Sequence, residues 1–111
     1  TQANFTNCIF YGPPQNDNEL FLDTLDRSLG GSAPIFRFDH CLFRTDEDIS
    51  NTNYYVNCKR NLDPAFLDVT RWNFAIGGAS GAINSGTNTG TLDDIEGNPR
   101  DLNPDLGCYE F

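Results

Sequence analysis

A chain of 111 residues, 38% hydrophobic and 13% aromatic, is one domain at most. It carries enough apolar side chain to build a core, which excludes a disordered segment despite a mean hydropathy of −0.48. The formal net charge of −9, from 16 acidic and seven basic residues, argues against nucleic acid and anionic membranes, since both are held by concentrated positive charge. No apolar run approaches the length of a membrane span, and no signal-peptide pattern stands at Thr1.

The first element is Phe5-Thr6-Asn7-Cys8-Ile9-Phe10-Tyr11-Gly12, where large apolar residues sit at Phe5, Cys8 and Phe10. A flat strand alternates with period two, and Asn7 breaks that period once. The pattern predicts a strand, a sharp one-residue bend and a second strand, both facing one interior. Asn suits the bend because it tolerates left-handed backbone angles. Because the chain lacks an initial Met and enters this unit almost at once, it reads as a trimmed piece of a longer protein, with a coil missing upstream.

Gly12-Pro13-Pro14-Gln15-Asn16-Asp17-Asn18 is a loop by composition, and Glu19-Leu20-Phe21-Leu22-Asp23 predicts a short strand ending in an acidic turn. Ser28-Leu29-Gly30-Gly31-Ser32-Ala33-Pro34 is a second loop. The bent phrase then returns as Phe38-Asp39-His40-Cys41-Leu42-Phe43-Arg44-Thr45, with His40 at the bend. Repetition of a bent-strand unit is the signature of a stacked β-solenoid. After a polar loop over residues 45–53, Tyr54-Tyr55-Val56-Asn57-Cys58 is a third, degraded copy, in which Arg60 replaces the apolar residue two places after Cys. The repeat is expected to end there. From Asp63 onward, turns surround isolated anchors such as Phe66, Leu67, Ile83, Leu106 and Tyr109, as in a cap that plugs the interior of the last coil. Helical periodicity is weak except around Leu20 to Leu29, where residues 19–23 read better as a short strand.

Cys8, Cys41 and Cys58 follow Asn7, His40 and Asn57 in equivalent settings, which predicts a buried column of thiols. Free thiols are the favoured state and disulfides the alternative, so redox compartment is not fixed by the count. No CxxC pair exists and His40 is the single histidine, against the clustered ligands of a zinc site.

The phrases at residues 5–12 and 38–45, together with Asn61-Leu62-Asp63-Pro64-Ala65-Phe66-Leu67-Asp68, Ser80-Gly81-Ala82-Ile83-Asn84-Ser85-Gly86, residues 94–100 and residues 104–110, resemble the C-terminal end of right-handed parallel β-helix proteins of the pectate-lyase-like superfamily. The similarity is closest to secreted and surface-anchored bacterial members, especially those of Bacteroidetes. In that family the last four phrases read like N-x-DP-x-F-x-D, SPAI-x-x-G, D-x-x-G-x-x-R and D-x-G-x-YE. Gly81 departs from the usual Pro, and Cys108 from the common Ala. The resemblance implies an extracytoplasmic protein (secreted, periplasmic or on the cell surface) of a kind that often binds or acts on polysaccharide. It carries over no catalytic site.

Candidate chemistry is sparse. Asp93, Asp94 and Glu96 offer oxygen ligands for calcium, but without EF-hand spacing, so their reading is structural. Arg100 is expected to bridge acidic groups or free carbonyls within the cap, with Glu110 closing the last cap phrase. Lys59-Arg60, the only adjacent basic pair, reads as an exposed turn rather than a lyase base. Glycoside hydrolysis needs two carboxylates at a set separation, and 16 acidic residues single out no pair. His40 is read as a corner residue rather than a general base. Trp72, Tyr54 and Tyr55 would stack on sugars if exposed, with burial expected for at least two. No catalytic, cofactor-binding or metal-ligating residue is assigned, and no cofactor.

The expectation is therefore an all-β, right-handed parallel β-helix fragment, with final coils over residues 1–62 and an irregular C-terminal cap of the same domain over 63–111. Its function would be that of a non-catalytic segment, binding polysaccharide or serving as scaffold, stacked on upstream coils of the parent chain. The alternative is a fragment of a polysaccharide lyase or glycoside hydrolase whose active site lies mainly upstream.

Overall fold

Each of the three bent phrases forms two short strands on either side of a residue with positive φ. In a computed structural model, residues 2–13, 19–20 and 35–111 are described. The first unit holds β1 (Gln2–Thr6) and β2 (Ile9–Phe10), the second β3 (Ile35–Asp39) and β4 (Leu42–Phe43), the third β5 (Tyr55–Val56) and β6 (Lys59–Arg60). Between them, Asn7, His40 and Asn57 take φ values of 56°, 52° and 49°. That left-handed corner costs Asn and His less than bulkier residues, and it turns the chain from one sheet into the other.

The units stack in register. β1, β3 and β5 form one parallel sheet and β2, β4 and β6 another, with Phe5 opposite Phe38, Phe38 opposite Tyr55, and Phe10 opposite Phe43. Parallel register puts like residues over like. The Phe5, Phe38 and Tyr55 rings stack at 5.0 and 5.6 Å between centroids, and Phe10 stacks on Phe43 at 5.2 Å. Phe38 and Phe43 meet edge to face at 5.0 Å across the interior. Such aromatic pairs add about 0.5–1.5 kcal/mol each beyond the area they bury. Cys41 is buried in this interior, with Cys8 and Cys58 half-buried above and below it, and all four cysteines are free thiols.

Two expectations change here. Lys59-Arg60 is not a turn: it is strand β6, with Leu42 opposite Lys59 and Phe43 opposite Arg60. The third unit is thus complete in its backbone although its side chains are polar. Arg60 stands where the interior position falls, and its guanidinium donates to the carbonyls of Asp46 and Glu47 at 3.4 and 2.8 Å. The same loop sends Ile49 into the interior cluster. Asn61 ties it down by a reciprocal pair of hydrogen bonds with the backbone of Thr45, at 3.0 and 3.1 Å.

The second change concerns residues 63–111. Among the described residues, the buried and half-buried apolar side chains around Phe38, Cys41, Phe43 and Tyr55 all precede Lys59 in the chain. The anchors of the C-terminal segment do not plug that interior. Ile76, Ala82 and Leu106, with Phe66 and Ile83, pack instead on Leu42 and Ile9. These two alternate along their strands with Phe43 and Phe10, so they point out of the opposite face of the sheet. Leu67 and Tyr109 belong to neither cluster, and Leu67 is exposed. The segment therefore lies along the flank of the β2-β4-β6 sheet.

Within that segment β7 (Phe66–Asp68) and β8 (Asn73–Ile76) pair antiparallel around a single 3-10 turn, Val69–Arg71. Among the described residues there is no α-helix, in keeping with an all-β chain. The strand expected at residues 19–23 lies outside the described residues beyond Leu20, which is half-buried against the interior cluster. The loops expected at 12–18 and 28–34 lie outside them too, apart from Gly12 and Pro13.

Candidate functional site

Asp68 and Asn73 pair across the hairpin, and Asp68 caps the intervening turn by accepting from the Thr70 amide at 3.2 Å and the Thr70 hydroxyl at 2.6 Å. The turn ends on Trp72, whose φ of 60° turns the indole away from the fold. Trp72 is 80% exposed and packs against Phe74, itself 40% exposed, at 6.4 Å. Phe74 meets Phe66 edge to face at 5.5 Å.

Phe66 and Phe74, with Ile76, form one wall of a cleft of about 810 Å³, and Trp72 stands beside it without lining it. Its floor is Ile9 and Tyr11 of the first unit, and Ile95 and Tyr109 stand on the far side. A smaller cavity of about 470 Å³ shares Tyr11, Phe66 and Phe74 and extends past Arg44, whose guanidinium lies 5.4 Å over the Tyr11 ring. Open concave surface with an aromatic wall suits a ligand that presents apolar faces.

The far wall is held by a polar knot. Arg100 donates to the carbonyls of Asp105 and Gly107 at 3.0 and 2.8 Å and pairs with Glu110 at 3.1 Å, both side chains nearly buried. This is the bridging role expected of it. Asp94 accepts from the Glu96 and Asn98 amides, the Asn98 side chain and the Glu110 amide, all between 2.8 and 3.0 Å. The Asn98 side-chain hydrogen bond, followed by the Glu110 amide, holds its carboxyl well below the usual carboxylate range. Both oxygens are thus engaged by N–H donors, so Asp94 serves as a loop organiser.

Asp94 gives a pH prediction whose sign follows from that shift. A depressed native pKa stabilises the fold above the unfolded value, near about 3.9, and the contribution is lost as pH falls through the native value. Thermal midpoints are expected to hold from pH 7 to 5 and to fall below about pH 4. Asp94→Asn should flatten that acid limb. An identical slope in the variant would remove Asp94 as the cause.

The knot is fastened to the first unit through Asn7. Its side chain donates to the Thr87 carbonyl at 2.7 Å and accepts from the Thr87 amide at 2.8 Å, while its own carbonyl accepts from the Gly107 amide at 2.8 Å. Gly107 has a φ of 87°, and a Cβ there would come within 3.1 Å of Ile9. Gly81 also uses what proline lacks, its amide donating to the Asp63 carbonyl at 2.9 Å.

The remaining candidates are dispersed. His40 occupies its corner, with Nδ1 2.5 Å from an Asp39 carboxylate oxygen. Tyr55 is buried in the interior, and Tyr54 is half-buried with its ring 4.5 Å from Phe36, leaving Trp72 as the exposed member of the three. The Lys59 ammonium donates to Ser85 at 2.6 Å on the sheet's outer face, while Arg60 faces the other way. Of the cleft-lining residues, Tyr11, Phe74 and Ile95 were not singled out in the sequence, and Phe66 was read only as an apolar anchor. The available signal was Trp72-Asn73-Phe74 following Phe66 across a turn, two aromatic residues too many for a solvated hairpin tip.

No family model matches this chain, and no curated protein or solved structure matches it either.

Proposed function

We propose that this chain is the non-catalytic C-terminal segment of a secreted or cell-surface right-handed parallel β-helix protein, and that it binds polysaccharide at the cleft beside the β7–β8 hairpin. The three in-register bent units and their two parallel sheets support the architecture. The exposed outer edge of β1, with the Phe5 ring 37% exposed, supports a further coil of the parent chain as its neighbour. The observation that carries the binding reading is the aromatic wall of Phe66 and Phe74 on the cleft, extended beyond it by the exposed Trp72 ring packed against Phe74. Aromatic faces stack on the apolar faces of pyranose rings, and hydroxyls such as those of Thr89 and Thr91 on the cleft lining hydrogen-bond the rim of a sugar. The net charge of −9 favours neutral glycans over uronate-rich ones.

Affinity electrophoresis against a panel of neutral and acidic polysaccharides tests this. Retardation by a neutral glycan is expected, weakened about tenfold, or about 1.4 kcal/mol, in Trp72→Ala. Retardation that is unchanged in Trp72→Ala, or none with any glycan, would leave the segment as scaffold.

A further inference from the structure

Three thiols share one column in the interior. The register that pairs Thr6 with Asp39 and Ile9 with Leu42 sets Cys8 beside Cys41, and the next register sets Cys41 beside Cys58. Backbone hydrogen bonds bracket each step, from the Leu42 amide to the Cys8 carbonyl at 2.9 Å and from the Lys59 amide to the Cys41 carbonyl at 2.8 Å. Neighbouring strands lie about 4.7–4.9 Å apart. That falls within the Cα separation of about 4.4–6.8 Å that a disulfide spans. The central thiol is buried, and the outer two are partly open to solvent.

We propose that this column is a thiol–disulfide exchange site for low-molecular-weight disulfides, with Cys8 or Cys58 as the attacking thiol and Cys41 as the resolving one. The chemistry is balanced as follows. The Cys8 or Cys58 thiolate attacks one sulfur of glutathione disulfide, forming a mixed disulfide and releasing one glutathione thiolate, which takes up a proton. Cys41 then loses its proton and attacks the protein sulfur of that mixed disulfide, releasing the second glutathione. Two protein thiols are oxidised and one glutathione disulfide is reduced. Both possible bonds, Cys8–Cys41 and Cys41–Cys58, use Cys41, so they exclude each other and one outer thiol always remains.

The hydrogen bonds of the column favour these roles. Interaction with Cys41 lowers the Cys8 thiol to about 7 and, at the other end, the Cys58 thiol to about 7, while the Cys41 sulfur lies within hydrogen-bond reach of the Phe5 and Asp39 carbonyls at 3.5 and 3.6 Å. The Thr6 and Val56 carbonyls lie within sulfur hydrogen-bond reach of Cys8 and Cys58, and the Asp39 carboxylate opposes ionisation of Cys58. Hydrogen bonds to Cys58 and Cys8, with burial, push the Cys41 thiol up, which keeps it from reacting first. When an outer sulfur is capped as a mixed disulfide it no longer ionises, which lifts one of the influences that hold the Cys41 thiol up and lets Cys41 resolve it. Side chains on parallel rungs point the same way, so their Cβ atoms keep the strand spacing of about 4.7–4.9 Å, beyond the separation of about 3.5–4.5 Å in a relaxed disulfide, and bonding must draw the two rungs together. A bond there is held in a strained, readily reduced form.

The test places the intact chain in glutathione buffers of graded oxidation at pH 7.5, quenches with acid, and reads intact mass and disulfide-linked peptides. Loss of two hydrogens with a Cys8–Cys41 or Cys41–Cys58 peptide is expected, reversed by excess reduced glutathione. Cys41→Ser should instead accumulate a glutathione adduct on Cys8 or Cys58 with no internal bond, and Cys108→Ser should behave as the unaltered chain. In alkylation by iodoacetamide, the pH profile of Cys8 and Cys58 should have its midpoint near 7. Exchange confined to the exposed Cys108 in the folded chain, or an internal bond that forms only after denaturation, overturns the proposal.

Discussion

Replacing Phe43 by Ala is expected to lower the free energy of unfolding by about 3–5 kcal/mol. Phe43 is fully buried, stacked on Phe10 at 5.2 Å and set against the edge of Phe38 at 5.0 Å. It occupies the middle unit, so the paired strands on either side prevent the cavity from collapsing, and the cost falls at the upper end when a site cannot relax. Urea unfolding checks it: the midpoint should drop while the slope is unchanged. Phe5→Ala provides the comparison. Phe5 is on the edge strand and 37% exposed, so its truncation removes less buried area and should cost clearly less. A loss below about 1 kcal/mol for Phe43→Ala would mean that the stacked rings do not form a packed interior.

Deleting residues 63–111 is expected to leave a chain that aggregates or fails to unfold cooperatively. The reason is the outer face of the β2-β4-β6 sheet. Leu42 is fully buried there against Ile76, Ala82 and Leu106, with Ile9 beside it, and all three partners lie in the deleted segment. The deletion also strips Asn7 of its two side-chain bonds to Thr87 and its carbonyl of the Gly107 amide. It removes the Ser85 hydroxyl that holds the Lys59 ammonium. An exposed apolar stripe beside the edge strand β1, whose outer side pairs with no strand among the described residues, invites association. Sedimentation and a thermal melt decide the matter. A truncated chain that stays monomeric and melts cooperatively would mean that the flank is not needed for folding.

Residues 63–111 cover the outer face of a sheet rather than the interior of the last unit. The open end of a stack of strands needs its interior covered. Here the interior beyond the third unit receives Ile49 from the loop at 45–53, and Arg60 closes onto that loop through the Asp46 and Glu47 carbonyls. The long C-terminal segment is left to cover a sheet face and, in doing so, to build the cleft. The flank and the candidate site are one feature: Ile9 and Leu106 belong both to the packed cluster and to the cleft lining.

What the sequence by itself determined was the bent unit. Phe5, Cys8 and Phe10, repeated as Phe38, Cys41 and Phe43, encode facing through a period that is purely local, and Asn7, His40 and Asn57 mark the left-handed corners by residue type. Because the phrase repeats, parallel stacking of like on like followed, and with it the thiol column. Tertiary structure alone decided where the non-repeating half went. That Ile9 and Leu42 needed a covering was legible in the alternation, but what covers them rests on contacts such as Asn7 with Thr87, 80 residues apart. Such a pairing leaves no periodic trace. Arg60 misled for a related reason: a strand is set by the backbone partner beside it, and β4 supplies that partner whatever side chain the position carries. Trp72 is exposed because a left-handed residue ends its turn and Phe74 already fills the wall, a choice made by the hairpin's docking rather than by its composition.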